Sequence, residues 1–149
     1  APKIERYEIG DMGRWLEEPC VCGRTDPLFE LVGRMGDVFK AGTPQLNYAQ
    51  FVQILSDKAQ YSGRLQIHLH TEGPVSVIEV WVDASLGFDP DKAVEILIDA
   101  YPELGVARRM GLPVKVQICI NNEVDFVKVK ASGKIKHLCD HRHAIVGEQ

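Results

Sequence analysis

Three short segments of this chain carry side chains whose type and placement suit chemistry. Near the start, Tyr7-Glu8-Ile9-Gly10-Asp11 ends in an aspartate behind a glycine. A turn there would present both carboxylate oxygens, acceptors only, to a pair of vicinal hydroxyls such as those of a ribose. Next, Gly33-Arg34-Met35-Gly36-Asp37 offers a guanidinium, whose planar fork suits ribose and phosphate oxygens. Near the far end, Ser132-Gly133-Lys134 places an ammonium on a glycine turn. Each segment also has a plainer reading. Gly10-Asp11 and Gly33 to Asp37 suit ordinary exposed turns, and Lys128, Lys130, Lys134, Lys136 and Arg142 suit a solvated basic edge.

Cysteine and histidine add candidates of a different kind. Cys20-Val21-Cys22 would be strained as a disulfide, and Cys119 falls in an apolar strand pattern, so reduced thiols are expected. Thiolates at Cys20 and Cys22 would make half of a tetrahedral zinc site, with no other half nearby in sequence. His68 and His70 share one strand face and could chelate a metal, although a solvent-facing pair is the simpler account. His137, His141 and His143 read as a fraying tail, and Trp15 and Trp81 as packing residues.

These groups need a scaffold, and composition bounds it. The chain has 149 residues, 45% of them hydrophobic and 26% charged, enough for one domain with a sizeable core and too few for two ordinary ones. A formal net charge of −4 supplies no general attraction to nucleic acid or anionic membranes. No apolar run reaches the roughly 18 residues needed to span a bilayer, and Ala1 to Glu5 has no signal-peptide form, so a cytoplasmic setting is expected.

The pattern along the chain supplies the elements. The first forty residues are turn-rich, with Leu28 to Val32 as a short strand. Gln45 to Lys58 carries Leu46, Phe51, Ile54 and Leu55 at helical spacing, with Asn47 as N-cap. Arg64 to His70 alternates, with Leu65, Ile67 and Leu69 on one face, and Val75 to Val82 repeats the pattern after a Gly73-Pro74 turn, predicting a hairpin. Asp89-Pro90 opens a second helix with Ala93, Val94, Leu97, Ile98 and Tyr101 as its stripe, ended or kinked at Pro102. Val114 to Ile120 and Phe126 to Lys130 complete the strands. The order predicts an α+β domain of ferredoxin-like split βαβ form, an antiparallel sheet with two helices on one face, preceded by a small β-hairpin. Residues 1–42 would form the hairpin and hinge region, and 43–149 the core with its lysine-bearing tail.

Order and spacing together give these segments a family resemblance. Tyr7 to Asp11 resembles the Tyr-x-Thr-Gly-Asp motif of adenylate-forming acyl-CoA ligases, with Ile9 in place of Thr. Gly33 to Gly42 is similar to the family's Gly-Arg-x-Asp-Asp hinge motif, with Gly36 in place of its Asp or Lys. Ser132 to Arg142 is similar to the closing Gly-Lys-x-x-Arg-Val-x-Asp-x-Arg motif, with His137 in place of Arg. Cys20 to Arg24 matches the Cys-x-Cys-Gly-Arg of the phenylacetate-CoA ligase group.

The resemblance implies that the chain is the C-terminal lid domain of such an enzyme. A large N-terminal adenylation domain, carrying the phosphate loop and both substrate pockets, would precede residue 1. It assigns Lys134 to catalysis, Asp11 and Arg34 to the nucleotide, and Gly36 and Asp37 to a hinge. Cys20 and Cys22 would belong to a zinc site completed by the large domain. The full enzyme would use ATP with magnesium, pass through an acyl-AMP and transfer the acyl group to coenzyme A, releasing AMP. Its acid would be aryl or arylacetic, and this fragment alone would be inactive. Two rivals stay open: a stand-alone ferredoxin-like small-molecule-binding or regulatory domain, and a small zinc-binding interaction module built on Cys20 and Cys22.

Overall fold

The computed structural model describes residues 11–142, so residues 7–10 of the first segment and His143 lie outside the described residues. The chain divides into two compact units, one ending at Asp37 and the other beginning at Val38.

In the first unit, β1 (Asp11–Leu16) and β2 (Leu28–Arg34) pair antiparallel, with Asp11 opposite Arg34 and Leu16 opposite Leu28. Leu28 to Val32 is therefore the second strand of this ribbon and not the opening strand of the core sheet. The register shifts between Met12 and Gly13, and the Phe29 ring lies where a side chain on Gly13 would project. That close approach is a reason for glycine at this position. A short 3₁₀ turn, Met35–Asp37, closes the unit.

The second unit opens with β3 (Val38–Lys40) paired to β4 (Gln45–Asn47), which leads directly into α1 (Tyr48–Ala59). The helix begins three residues later than the apolar spacing predicts, because Gln45 to Asn47 pair with β3 and Leu46 is buried from a strand. Asn47 caps as expected, its side-chain oxygen accepting from the Ala49 N–H at 2.9 Å. β5 (Leu65–Glu72) and β6 (Val75–Val82) form the predicted hairpin, turning at Gly73 with φ +59° followed by Pro74.

α2 (Pro90–Ala100) stops at Tyr101, whose extended backbone lets Pro102 start a further helix, α3 (Pro102–Arg109). The sequence pattern does not announce α3, whose eight residues bury only Leu104 and Ala107. β7 (Val114–Ile120) then lies parallel to β6. The last strand, β8 (Leu138–Asp140), adds parallel to β5, giving the order β7-β6-β5-β8.

The domain is thus α+β, with a ferredoxin-like split βαβ core behind a β-hairpin, and its sheet is mixed because β7 and β8 both run parallel to their neighbours. Phe126 to Lys130 is not a strand. After a 3₁₀ turn at Glu123–Asp125 it makes a single bridge, Lys128 to Ile135. The fourth strand comes instead from the region expected to be a tail.

Both faces of the sheet are covered. On one, Phe51, Leu55, Ala93, Leu97 and Leu104 from the helices meet Leu65, Ile67, Leu69, Ile78, Val80, Val82 and Ile118 in one apolar cluster. Burying side chains of this size contributes about 1.5–3 kcal/mol each. The other face carries Gln66, His68, Val77, Trp81 and Cys139, and Phe126 packs edge-on over Trp81. Among the described residues no helix is long and apolar enough to cross a membrane.

Candidate functional site

Lys134 stands at the exposed end of a tight hairpin that runs from Val127 to Lys136. Its backbone is closed by Lys136 N–H to Val127 O at 2.9 Å and Val129 N–H to Lys134 O at 2.7 Å. The Ser132 and Gly133 N–H groups both donate to Val129 O, and Gly133 sits at φ +70°, where a side chain would be strained. Glycine at 133 is therefore a requirement of the turn. Lys128, Lys130 and Lys136 are exposed on the same hairpin, and Val127 to His137 contains no acidic residue. The tip is a concentrated positive charge reaching into solvent.

The base of this hairpin is held from below by Gln66, fully buried on β5. Its amide nitrogen donates to Val127 O at 2.8 Å and Lys136 O at 2.7 Å, and its oxygen accepts from Val127 N–H at 3.0 Å and from His68 at 2.9 Å. His68 is only 5% exposed, stacked on Trp81 at 3.9 Å, and its Nδ1 lies 2.9 Å from His141 Nε2. Burial, reinforced by the neighbouring His141, pushes the His68 pKa down to about 4, so the ring is neutral near pH 7.

The solvent-facing histidine pair and fraying tail expected from sequence are thus corrected for these residues. His68 is a core group, and His141 is docked against it. His137 stacks on Tyr48, with ring centroids 4.1 Å apart. His70 is half-exposed, 3.4 Å from Glu79, and His137 and His141 keep much of their surface in solvent despite these contacts. Burial alone would raise the Glu79 pKa, but hydrogen bonds from Trp81, Gln117 and His70 outweigh it and hold the carboxylate below its usual value.

Asp140 and Arg142 brace the same region. The Asp140 carboxylate accepts from Arg142 Nε at 3.0 Å and Nη2 at 2.9 Å, while Arg142 Nη1 donates to Lys40 O at 2.5 Å. The pair therefore straps the end of β8 to the end of β3.

In the first unit the ribbon brings two of the sequence candidates together. Arg34 Nη1 lies 3.3 Å from Asp11 Oδ1, with Arg34 mostly exposed and Asp11 half-buried. One face of a ribose or phosphate would find an acceptor and a donor side by side here. Gly36 and Asp37 occupy the 3₁₀ turn next to the boundary between units. A Cβ at Gly36 would meet nothing, and its φ is not in the left-handed region, so this conformation makes no demand for glycine.

Cys20 and Cys22 lie with their sulfurs 2.7 Å apart. A hydrogen bond from Cys20, helped by the Arg24 backbone, lowers the Cys22 pKa and favours its thiolate. Two thiols make half of a tetrahedral set, and among the described residues no group of three or more potential ligands is placed to hold a metal. Trp15 is 70% exposed, in edge contact with Phe29, and so is not the packing residue expected. Trp81, by contrast, is one.

Sequence reasoning missed Gln66 altogether, and it weighed His68 only as one of a surface pair and His141 only as part of a tail. A partial signal was available: Val77, Trp81 and Cys119 share the face that bears Gln66 and His68, although Glu79, Lys115 and Gln117 stand on it as well.

No protein-family model matches the sequence, and no curated protein matches it. Solved structures do. The chain superposes on crystal structures of 2-hydroxyisobutyryl-CoA ligase in the postadenylation state. With R3-HIB-AMP bound the TM-score is 0.50, and with 2-HIB-AMP bound it is 0.51. In each case the identity is 20%, and the match covers 93% of this chain and 29% of that chain. What is shared is the fold, over less than a third of the ligase's length.

Proposed function

We propose that this chain is the C-terminal lid domain of an AMP-forming acid–CoA ligase, with Lys134 as its catalytic cation. The observation that carries the reading is Lys134 itself. It is an exposed ammonium on a glycine turn whose base is fixed in the core, within a domain that shares its fold with part of an acyl-CoA ligase.

In the first half-reaction a carboxylate oxygen attacks the α-phosphorus of ATP, and the bond to pyrophosphate breaks. Two anions meet and negative charge builds on the transferring group. An ammonium delivered there lowers the barrier by a few kcal/mol once water is excluded. Asp11 accepts hydrogen bonds from the ribose hydroxyls and Arg34 donates to ribose or phosphate oxygens. In the second half-reaction the thiol sulfur of coenzyme A attacks the acyl carbon and AMP leaves with the bridging oxygen. Lys134 is not needed at that stage, and a turn of the lid about Gly36 and Asp37 exposes another face. The position of those residues beside the boundary between the two units supports them as the pivot.

The aryl or arylacetic class of acid rests on Cys20 to Arg24 alone. Magnesium would be held mainly by the phosphates, and a zinc at Cys20 and Cys22 would need two ligands from outside the described residues. Pyrophosphate exchange into ATP tests the reading in the complete polypeptide. Exchange should depend on an added acid, be strongest with aryl or arylacetic acids, and fall by about a hundredfold or more when residues 38–149 are deleted.

A second reading draws on an apolar groove of about 370 Å³ lined by Pro44, Pro102, Val106, Met110 and Leu112. A small-molecule-binding or regulatory domain would use such a groove. Stoichiometric binding of an apolar effector by the isolated chain, with no acid-dependent exchange in the complete polypeptide, would favour it.

A further inference from the structure

Gln66 uses every hydrogen-bonding capacity it has. Both amide hydrogens go to carbonyls of the lysine hairpin, Val127 and Lys136. Its oxygen takes the Val127 N–H on one side and His68 on the other. Its flanks are anchored separately, by the Phe126 ring over Trp81, by the Arg64–Glu123 pair, by the His137 ring on Tyr48 and by the His137 carbonyl, which accepts from Ile67 N–H at 2.9 Å. Lys136, one of the carbonyls held, is two residues from Lys134. Movement of Gln66 would therefore change the register or the reach of the ammonium directly.

The orientation of Gln66 is itself determined. Because its oxygen accepts from Val127 N–H, the bond to His68 requires that His68 carry its proton on Nε2. Nδ1 is then a bare acceptor, filled by His141 Nε2–H. The groups that face His68 are His141 from the chain after β8, Glu79 opposite it on β6, His70 on its own strand and Cys139 opposite it on β8. A second proton on His68 would make its Nδ1 a donor and require His141 to take the other tautomer, with Nε2 as acceptor.

We propose that Gln66 is a positioning residue for Lys134, aimed by neutral His68, and that this buried pair sets where the lysine hairpin stands when it enters the site. This rests on the ligase reading for its catalytic half and on geometry alone for its structural half, and the experiment separates the two.

Gln66→Met, of similar length and without polar atoms, is made in the 149-residue chain and in the complete polypeptide. In the chain, amide hydrogen exchange at Val129 and Lys136 should accelerate about tenfold or more, while core amides of β6 keep their protection. In the complete polypeptide, acyl-adenylate formation should fall about tenfold with the KM for ATP unchanged. Thioester formation from supplied acyl-adenylate should stay within about twofold. A general folding defect would lower both half-reactions together and overturn the proposal.

His68→Leu is the second variant and leaves the hairpin contacts of Gln66 in place. It should accelerate the same amides about fivefold, the loss of one hydrogen bond. Unchanged exchange at Val129 and Lys136 in both variants overturns the clamp. Faster exchange with undiminished adenylation, in an enzyme that Lys134→Ala inactivates, overturns the positioning role. If Lys134→Ala is itself without effect, the ligase reading fails, and the clamp is then judged on exchange alone.

Discussion

Two antiparallel ribbons carry the candidate residues, and they are built in opposite ways. The ribbon of β1 and β2 holds Asp11 and Arg34 but leaves Trp15 70% and Phe29 53% exposed. The hairpin from Val127 to Lys136 carries Lys134 and is tied into the core by fully buried Gln66 and by Phe126, which is 3% exposed. A two-stranded ribbon with an uncovered apolar face is marginal in water. One that spends its backbone groups on a buried amide is held at its base and free only at its tip. The hairpin is thus positioned by its own domain, whereas the ribbon leaves the aromatic side chains Trp15 and Phe29 largely in solvent.

Matching aromatic deletions test this contrast most strongly. Phe126→Ala should cost the chain about 3–4 kcal/mol in urea unfolding, and Phe29→Ala less than about 1 kcal/mol. Equal costs would mean that the ribbon is as firmly packed as the hairpin.

Acid should loosen one region and leave the other alone. His68 has its pKa depressed from 6.5 to about 4, so between those values the unfolded chain binds the proton that the folded chain refuses. Stability is then full above pH 6.5 and is lost as the pH falls toward 4, by an amount on the order of 2–3 kcal/mol. Urea midpoints measured across this range should show the slope in the wild type and a flatter profile in His68→Leu. A slope of the same size in that variant would move the effect to another group.

Glycine replacements give a smaller effect with a clear sign. Gly133→Ala, at φ +70°, should destabilise by about 1 kcal/mol. Gly36→Ala, in open space and outside the left-handed region, should stay within about 0.5 kcal/mol of wild type. A large cost at Gly36 would contradict the backbone described for that turn. Smallest of all is the ion pair of the ribbon. Asp11→Asn should change chain stability by less than about 1 kcal/mol, as expected for a pair with one mostly exposed partner.

Much of the fold was legible wherever the pattern is local. Leu65, Ile67 and Leu69 alternate, Asn47 and Pro90 mark helix starts, and Gly73-Pro74 marks the hairpin turn, so these elements follow from short-range physics. β8 was not legible, because three residues carry no period and become a strand only by lying parallel to β5. Phe126 to Lys130 misled for the converse reason. Its apolar residues look like a strand, but the backbone of Val127 is taken up by a side chain, Gln66, in place of a continuous ladder. The site divides the same way. Gly133 and Lys134 stand out as residue types, whereas Gln66 and His68 occupy positions that alternation reads as solvent-facing. Only the segment returning over that face buries them.

The central claim is that the ammonium of Lys134 acts in one half-reaction and not in the other. Lys134→Ala in the complete polypeptide, assayed for acyl-adenylate formation and for thioester formation from supplied acyl-adenylate, measures this directly. Adenylation should fall by about a hundredfold or more, with thioester formation within about twofold of wild type. Equal loss in both steps, or no loss in either, would contradict the account.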